Sequence, residues 1–180
     1  MATLQPEVRE LLLALDFSGC GTIVDMFAGE DNIRTAFNAA SLDVTTNDYN
    51  TMLETEYHLD ALQPGTYRTL QDELRIDAVV MSPFFTVLDL ALPLAVHFAE
   101  QVVCCHVPGH YVTNAPTARM TWLKQLQAEG RLMLIVGLPR GPTGRRCMWL
   151  IIFKNKQHRD RMTRPHARST LGLHLAVDSP

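Results

Sequence analysis

The stretch Thr22–Asp31, "TIVDMFAGED", decides how this chain folds. A short β-branched run, Thr22–Val24, reads as a strand that ends at Asp25. A small-residue turn at Ala28-Gly29 follows, and residues 32–40 then read as a helix. A turn bearing glycine lets a ligand approach the backbone closely, and the helix beyond it offers free amides. One such unit cannot bury both faces of a strand, so the fold depends on whether the pattern repeats.

It does repeat. Upstream, residues 6–16 place Val8, Leu11, Leu12 and Leu15 at helical spacing, ended by "FSGCG". Downstream, residues 42–46 read as a second strand, residues 57–59 as a short extended piece and residues 67–74 as a helix. "IDAVVM" is the next strand, and residues 87–98 read as helical despite Pro93. "EQVVCCHV" is a strand, residues 118–129 a helix capped by Gly130, and "RLMLIVG" and "CMWLIIF" are two further strands. Apolar strands alternating with helices predict an α/β fold, a mainly parallel seven-stranded sheet with an antiparallel last strand. The final two strands have no helix between them and should form a hairpin through residues 138–146.

Composition agrees with one globular domain. The chain has 180 residues, 47% of them hydrophobic and 19% charged, which excludes a disordered class. The expected division is a domain over 1–155, opened by an N-terminal helix within 1–18, and a basic C-terminal tail over 156–180. The start does not read as a signal peptide, and no window approaches about 18 uninterrupted apolar residues, so an intracellular protein with no membrane span is expected. The four cysteines show no metal-ligand spacing and read as reduced, buried thiols; no metal site is expected. The net charge of −3 conceals an asymmetry. Residues 1–100 carry 4 Lys/Arg against 16 Asp/Glu, while residues 101–180 carry 12 against 3. Such polarity suits a protein that meets a cation at one place and a polyanion at another, or two halves that neutralise each other.

In a parallel α/β sheet the ligand sits beyond the carboxyl ends of the strands, near the switch in strand order. Those ends are residues 25–31, 46–50, 59–61 and 82–85. Asp48 follows the second strand, about 20 residues past the first turn, where a carboxylate suits a pair of ribose hydroxyls. Asp60 ends the extended piece, where a carboxylate suits an exocyclic amino group; read singly, both acids fit ordinary turn positions. "SPFF", residues 82–85, closes the series with a hydroxyl, a proline and two aromatics.

Taken together, these segments resemble a class I S-adenosylmethionine-dependent methyltransferase of the kind that methylates exocyclic amino groups of DNA bases. That family shows a D-x-F-A-G-x-G turn, matched here by Asp25, Phe27, Ala28 and Gly29, with Asp31 in the place of the last glycine. Its acid after the second strand corresponds to Asp48, and "EYHLDAL" is similar to its adenine-pocket segment at Asp60 and Ala61. Its [DNS]-P-P-[YFW] loop is matched at Ser82, Pro83 and Phe85, with Phe84 in the place of the second proline. The resemblance spans roughly residues 20–155.

The resemblance implies a Rossmann-like methyltransferase fold and S-adenosylmethionine as cofactor, held by the first turn, Asp48, Asp60 and Ala61. It implies methyl transfer to an exocyclic amine of a nucleic acid base, adenine in DNA being the first expectation. The Ser82 side chain and the Pro83 carbonyl would accept from the target amine, with an aromatic stacking on the flipped base. No covalent intermediate is needed, so Cys104 and Cys105 read as buried strand residues. Arg140, Arg145 and Arg146 crowd the hairpin loop and fit phosphate contacts, as does the basic tail; a solvated tail is the plain alternative. His106 and His110 flank Pro108-Gly109 and read as loop residues beside the site. With no separate target-recognition segment evident, a protein partner for recognition is a further expectation. Asp31 and Phe84 keep a second reading open: a catalytically impaired relative that binds nucleic acid or protein. A methyltransferase for proteins or small molecules is a third.

Overall fold

The computed structural model describes residues 5–138 and 146–165. Along the chain run α1 (Gln5–Ala14), β1 (Ile23–Asp25), α2 (Asn32–Asn38), β2 (Thr45–Thr46), α3 (Pro64–Leu74) and β3 (Ala78–Met81). They are followed by α4 (Leu88–Phe98), β4 (Val102–Pro108), α5 (Thr117–Ala128), β5 (Leu132–Gly137), β6 (Cys147–Phe153) and α6 (Lys156–Met162). The described strands form one sheet in the order β2-β1-β3-β4-β6-β5. β1 pairs parallel with β2 and β3, and β3 parallel with β4, while β6 runs antiparallel to both β4 and β5. The expected antiparallel pairing of the last two strands is present, and the loop expected between them lies, over residues 139–145, outside the described residues.

Alternation along the strands divides the core into two layers of apolar contact. Val79, Met81, Val103 and Cys105 pack under α3, α4 and α5, against Tyr67, Leu70, Leu92, Leu123 and Leu126. Ala78, Val80, Val102 and Cys104 face the other way and pack with Val8 and Leu11 of α1, Ile33 and Phe37 of α2, and Trp149 and Ile151. Helices cover both faces, which is why β3, β4 and β6 are buried from end to end.

One expectation is corrected here. Among the described residues the sheet has six strands, not seven. Residues 57–59, expected to extend it, make only a single parallel bridge, Asn47↔Tyr57, beside β2. The reason is local. The Glu56 carboxylate accepts from the Thr46 N–H at 2.8 Å and from the Thr46 hydroxyl, so a side chain occupies the edge where a strand would pair. The basic segment from residue 156 begins with α6. Its described part is packed: α6 is capped by the Asn155 side chain, which accepts from the His158 N–H at 3.0 Å, and Met162 is buried. Beyond it the Asp16 N–H donates to the Met162 carbonyl and the Arg164 N–H to the Ala14 carbonyl, tying this segment to the end of α1. Residues 166–180 lie outside the described residues.

Candidate active site

The chain runs from β1 outward to β2, then crosses back so that β3 lies on the other side of β1. The loops leaving β1 and β3 therefore part at this point and open a crevice between them. A cavity of about 720 Å³ fills it, lined by residues 26–30, 32–33, 48–50 and 60–62 together with Ser82, Phe84 and Val87. Among the described residues that line it, three are acidic (Glu30, Asp48 and Asp60) and none is Lys or Arg. Apolar walls with carboxylates suit a ligand that is part flat and apolar, part cationic, and disfavour a phosphorylated one.

The turn after β1 is built for close approach. Gly29 has φ +52°, and an added Cβ there would meet nothing nearer than the Phe27 carbonyl at 3.9 Å. Asp31, at the head of α2, also has a left-handed backbone, φ 62°. A glycine is favoured there, which explains the glycine of the resembling motif; aspartate is one of the few side chains that tolerate it. The Asp31 carboxylate pairs with Arg34, whose guanidinium also reaches the Glu56 carboxylate at 3.2 Å.

Asp25 ends β1 fully buried. Its Oδ1 accepts from the Phe27 N–H at 3.1 Å, while Oδ2 has no partner, and neither does Asp31 Oδ1. Burial pushes the Asp25 carboxyl up to about 8, the Phe27 N–H opposing and the Asp31 and Asp48 carboxylates adding to the rise.

Asp48 faces the cavity and is held by backbone amides, accepting from Gly29 N–H at 3.0 Å and Asn50 N–H at 2.9 Å. Asp60 accepts from the Leu62 N–H at 2.9 Å, and its carbonyl takes the Thr66 hydroxyl at 2.7 Å, so it also shapes the entry to α3. A residue that pattern reading passed over holds these segments together. Asn47, fully buried, donates from Nδ2 to the Met26 and Leu59 carbonyls and accepts from the Leu59 N–H at 2.9 Å. Its one side chain fixes the first turn, the end of β2 and the Asp60 segment around one space. Tyr49, Ile33 and Val87 are further lining residues that carried no motif signal.

The loop after β3 divides its residues between two spaces. Ser82 and Phe84 line the cavity, and Phe84 is 68% exposed. Phe85 instead lines an adjoining cleft of about 500 Å³ with Pro108, Gly109, His110, Thr113 and Arg146. Of the expected site residues, Phe27, Ala28, Gly29, Asp48, Asp60, Ala61, Ser82 and Phe84 border the main cavity. Asp25, Asp31 and Pro83 do not line it, and Phe85 and Arg146 border the neighbouring cleft. Arg140 and Arg145 fall outside the described residues. His106 belongs to the strand, as the run "EQVVCCHV" implies, and not to the loop beside Pro108-Gly109: β4 continues through it to Pro108, because β6 pairs with it along its whole length, His106 opposite Trp149.

Arg119 on α5 grips Asp89 of α4 at 2.7 and 2.8 Å, donates to the Tyr111 carbonyl and lies 3.9 Å above the Tyr111 ring centre. The cysteines contribute packing: Cys104, Cys105 and Cys147 are buried, none of the four forms a disulfide, and burial pushes the Cys104 and Cys105 thiols up. Among the described residues, no helix is long and apolar enough to cross a membrane.

This sheet order, with its switch-point cavity and antiparallel β6, is the fold of the S-adenosylmethionine-dependent methyltransferases. Solved structures of that class superpose on it. One is the methyltransferase subunit of a type I restriction-modification system from Streptococcus thermophilus, with TM-score 0.62 and 18% identity over 86% of this chain and 45% of that one. A putative class I S-adenosylmethionine-dependent methyltransferase from Listeria monocytogenes superposes with TM-score 0.56 and 14% identity, over 85% and 61%. An O-methyltransferase from Bacillus cereus in complex with SAH gives 0.57 and 13%, over 86% and 82%. The chain thus spans less than two thirds of the length of the first two. No protein-family profile and no curated protein sequence matches it.

Proposed function

We propose that this chain is an S-adenosylmethionine-dependent methyltransferase acting on an exocyclic amino group of a nucleic acid base, adenine in DNA first among them. The observation that carries the reading is the acid-lined, Lys- and Arg-free cavity at the switch point, entered from β1 by the Gly29 turn and from β3 by Ser82. Bound S-adenosylmethionine supplies an electrophilic methyl group on a positively charged sulfur. In this reading Asp48 would take the ribose hydroxyls and Asp60 and Ala61 would border the adenine, while the buried Asp25 and the Arg34-paired Asp31 would shape the turn behind them. Ser82 Oγ and the Pro83 carbonyl would accept from the target amine and orient it in the cavity. Positioning and electrostatics supply the rate, without a protein nucleophile.

The nucleic acid part of the reading is supported by the basic second half of the chain, by Arg146 beside Phe85 in the adjoining cleft, and by the likeness to a restriction-modification subunit. One observation favours a second reading, a binding protein that transfers no methyl group: Asp31 is engaged by Arg34 at the place of a motif glycine. Incubation of the chain with labelled S-adenosylmethionine and DNA or RNA, followed by mass analysis of the nucleosides, separates the two. The first reading expects an N-methylated nucleoside. Cofactor binding with unmodified nucleosides would favour the second.

A further inference from the structure

The register of β3 and β4 pairs Met81 with Cys105. The residues that follow, Ser82 and His106, therefore stand side by side where the loop leaves the sheet. Ser82 Oγ lies 3.4 Å from Nδ1 of His106. The other ring nitrogen, Nε2, faces the Glu7 carboxylate of α1 at 3.6 Å. That spacing is too long for a full hydrogen bond, and Nε2 makes none. It is short enough for the carboxylate's field to favour a proton on Nε2.

The ring is firmly seated. The Trp149 N–H donates to the Glu7 carbonyl at 2.7 Å, anchoring the first turn of α1, and the Trp149 ring meets His106 edge-on with centroids 5.4 Å apart. Phe85 covers it from the loop side at 6.4 Å. His106 is 3% exposed, and burial pushes its pKa down to about 4, so the imidazole is neutral at neutral pH.

A neutral imidazole protonated on Nε2 offers only a lone pair at Nδ1. We propose that His106 is a positioning residue: it accepts the Ser82 hydroxyl proton and so turns the Ser82 lone pairs to the cavity. Ser82 then presents an acceptor to the substrate, which selects a group bearing an N–H donor over a carbonyl. The opposite tautomer, Nδ1–H, would donate to Ser82 Oγ and free the Ser82 proton to greet an acceptor instead. Glu7, 75 residues away in sequence, thus bears on what Ser82 can recognise. The inference rests on the methyl-transfer reading for its consequence, though not for its geometry.

The test has two arms on the full chain. Nitrogen-15 NMR of labelled histidines at neutral pH, with His106 assigned by its absence in His106→Phe or His106→Asn, reads the tautomer directly. The expected result is a neutral ring protonated at Nε2, whose Nδ1 resonance moves in Ser82→Ala. A ring protonated at Nδ1, or a cationic ring, would overturn the proposal. In the second arm, His106→Phe removes the acceptor and His106→Asn returns one near the Nδ1 position. His106→Phe should lower the methyl-transfer kcat roughly 10- to 100-fold with unchanged SAH affinity, and His106→Asn should recover most of it. A folded His106→Phe protein with wild-type affinity and wild-type kcat would also overturn it. Should the wild-type chain methylate no amine, the functional reading fails, and the tautomer alone decides the positioning claim.

Discussion

The backbone N–H of Gly29 donates to the Asp48 carboxylate at 3.0 Å, joining the turn after β1 to the end of β2. With the Asn50 N–H on its other oxygen, Asp48 is held still at the wall of the cavity. Preorganisation of this kind spares a ligand the cost of ordering the acid. Asp48→Ala should weaken S-adenosylhomocysteine binding by roughly tenfold or more while leaving the fold intact by circular dichroism. Unchanged affinity would remove Asp48 from the site.

Asp25 gives a pH signature. Its carboxyl ordinarily titrates near 3.8 and is raised to about 8 in the folded chain. Between these values the folded state binds the extra proton, so the stability Asp25 contributes is greatest at low pH and falls as pH climbs toward 8. Asp25→Asn keeps an acceptor for the Phe27 N–H and removes the buried charge. It should stabilise the protein at pH 8 and above, by several kcal/mol, and little near pH 4. Denaturant midpoints of the wild type and Asp25→Asn at pH 4 and at pH 8 check this difference.

Asp31 tests whether the backbone or the carboxylate matters at the third motif position. Its φ of 62° is strained for any side chain. Asp31→Gly relieves the strain while losing the Arg34 pair, so denaturant midpoints should give a net change within about 1 kcal/mol. Asp31→Val, β-branched and uncharged, should cost about 2 kcal/mol or more. Equal stability of the two variants would show that no left-handed residue is required there.

Nucleic acid binding carries an ionic signature. If Arg146 and its basic neighbours contact phosphates, affinity for a duplex should fall steeply with salt. Arg146→Gln should reduce the log–log slope by about 1. A salt-independent affinity would contradict a phosphate-contacting surface.

Much of the fold could be read from local pattern. Ala78–Met81 is a continuous apolar run because β3 is buried on both faces, and its exit into Ser82-Pro83 marks the strand end directly. The Gly29 turn and Asp48 were likewise legible, since each role depends on a residue type at a strand end. The seventh strand was misjudged because a carboxylate, Glu56, satisfies the Thr46 edge that a strand would have paired. The division of Phe84 and Phe85 between two spaces depends on how the loop turns, which adjacent aromatics do not announce. His106 lies in the run "EQVVCCHV" that reads as a strand, yet beside Pro108-Gly109 it also read as loop; the pairing that decides for the strand comes from β6, some 40 residues later. Asn47 gave no signal at all: its role is a set of hydrogen bonds between segments that only the fold brings together.

The central claim is that the cavity between the Gly29 turn and Ser82 is a cofactor site, and calorimetric titration of the full chain with S-adenosylhomocysteine tests it most directly. The account predicts saturable binding at one site per chain, weakened in Asp48→Ala and retained in Ser82→Ala. Absence of binding at millimolar ligand, with the chain folded, would contradict it.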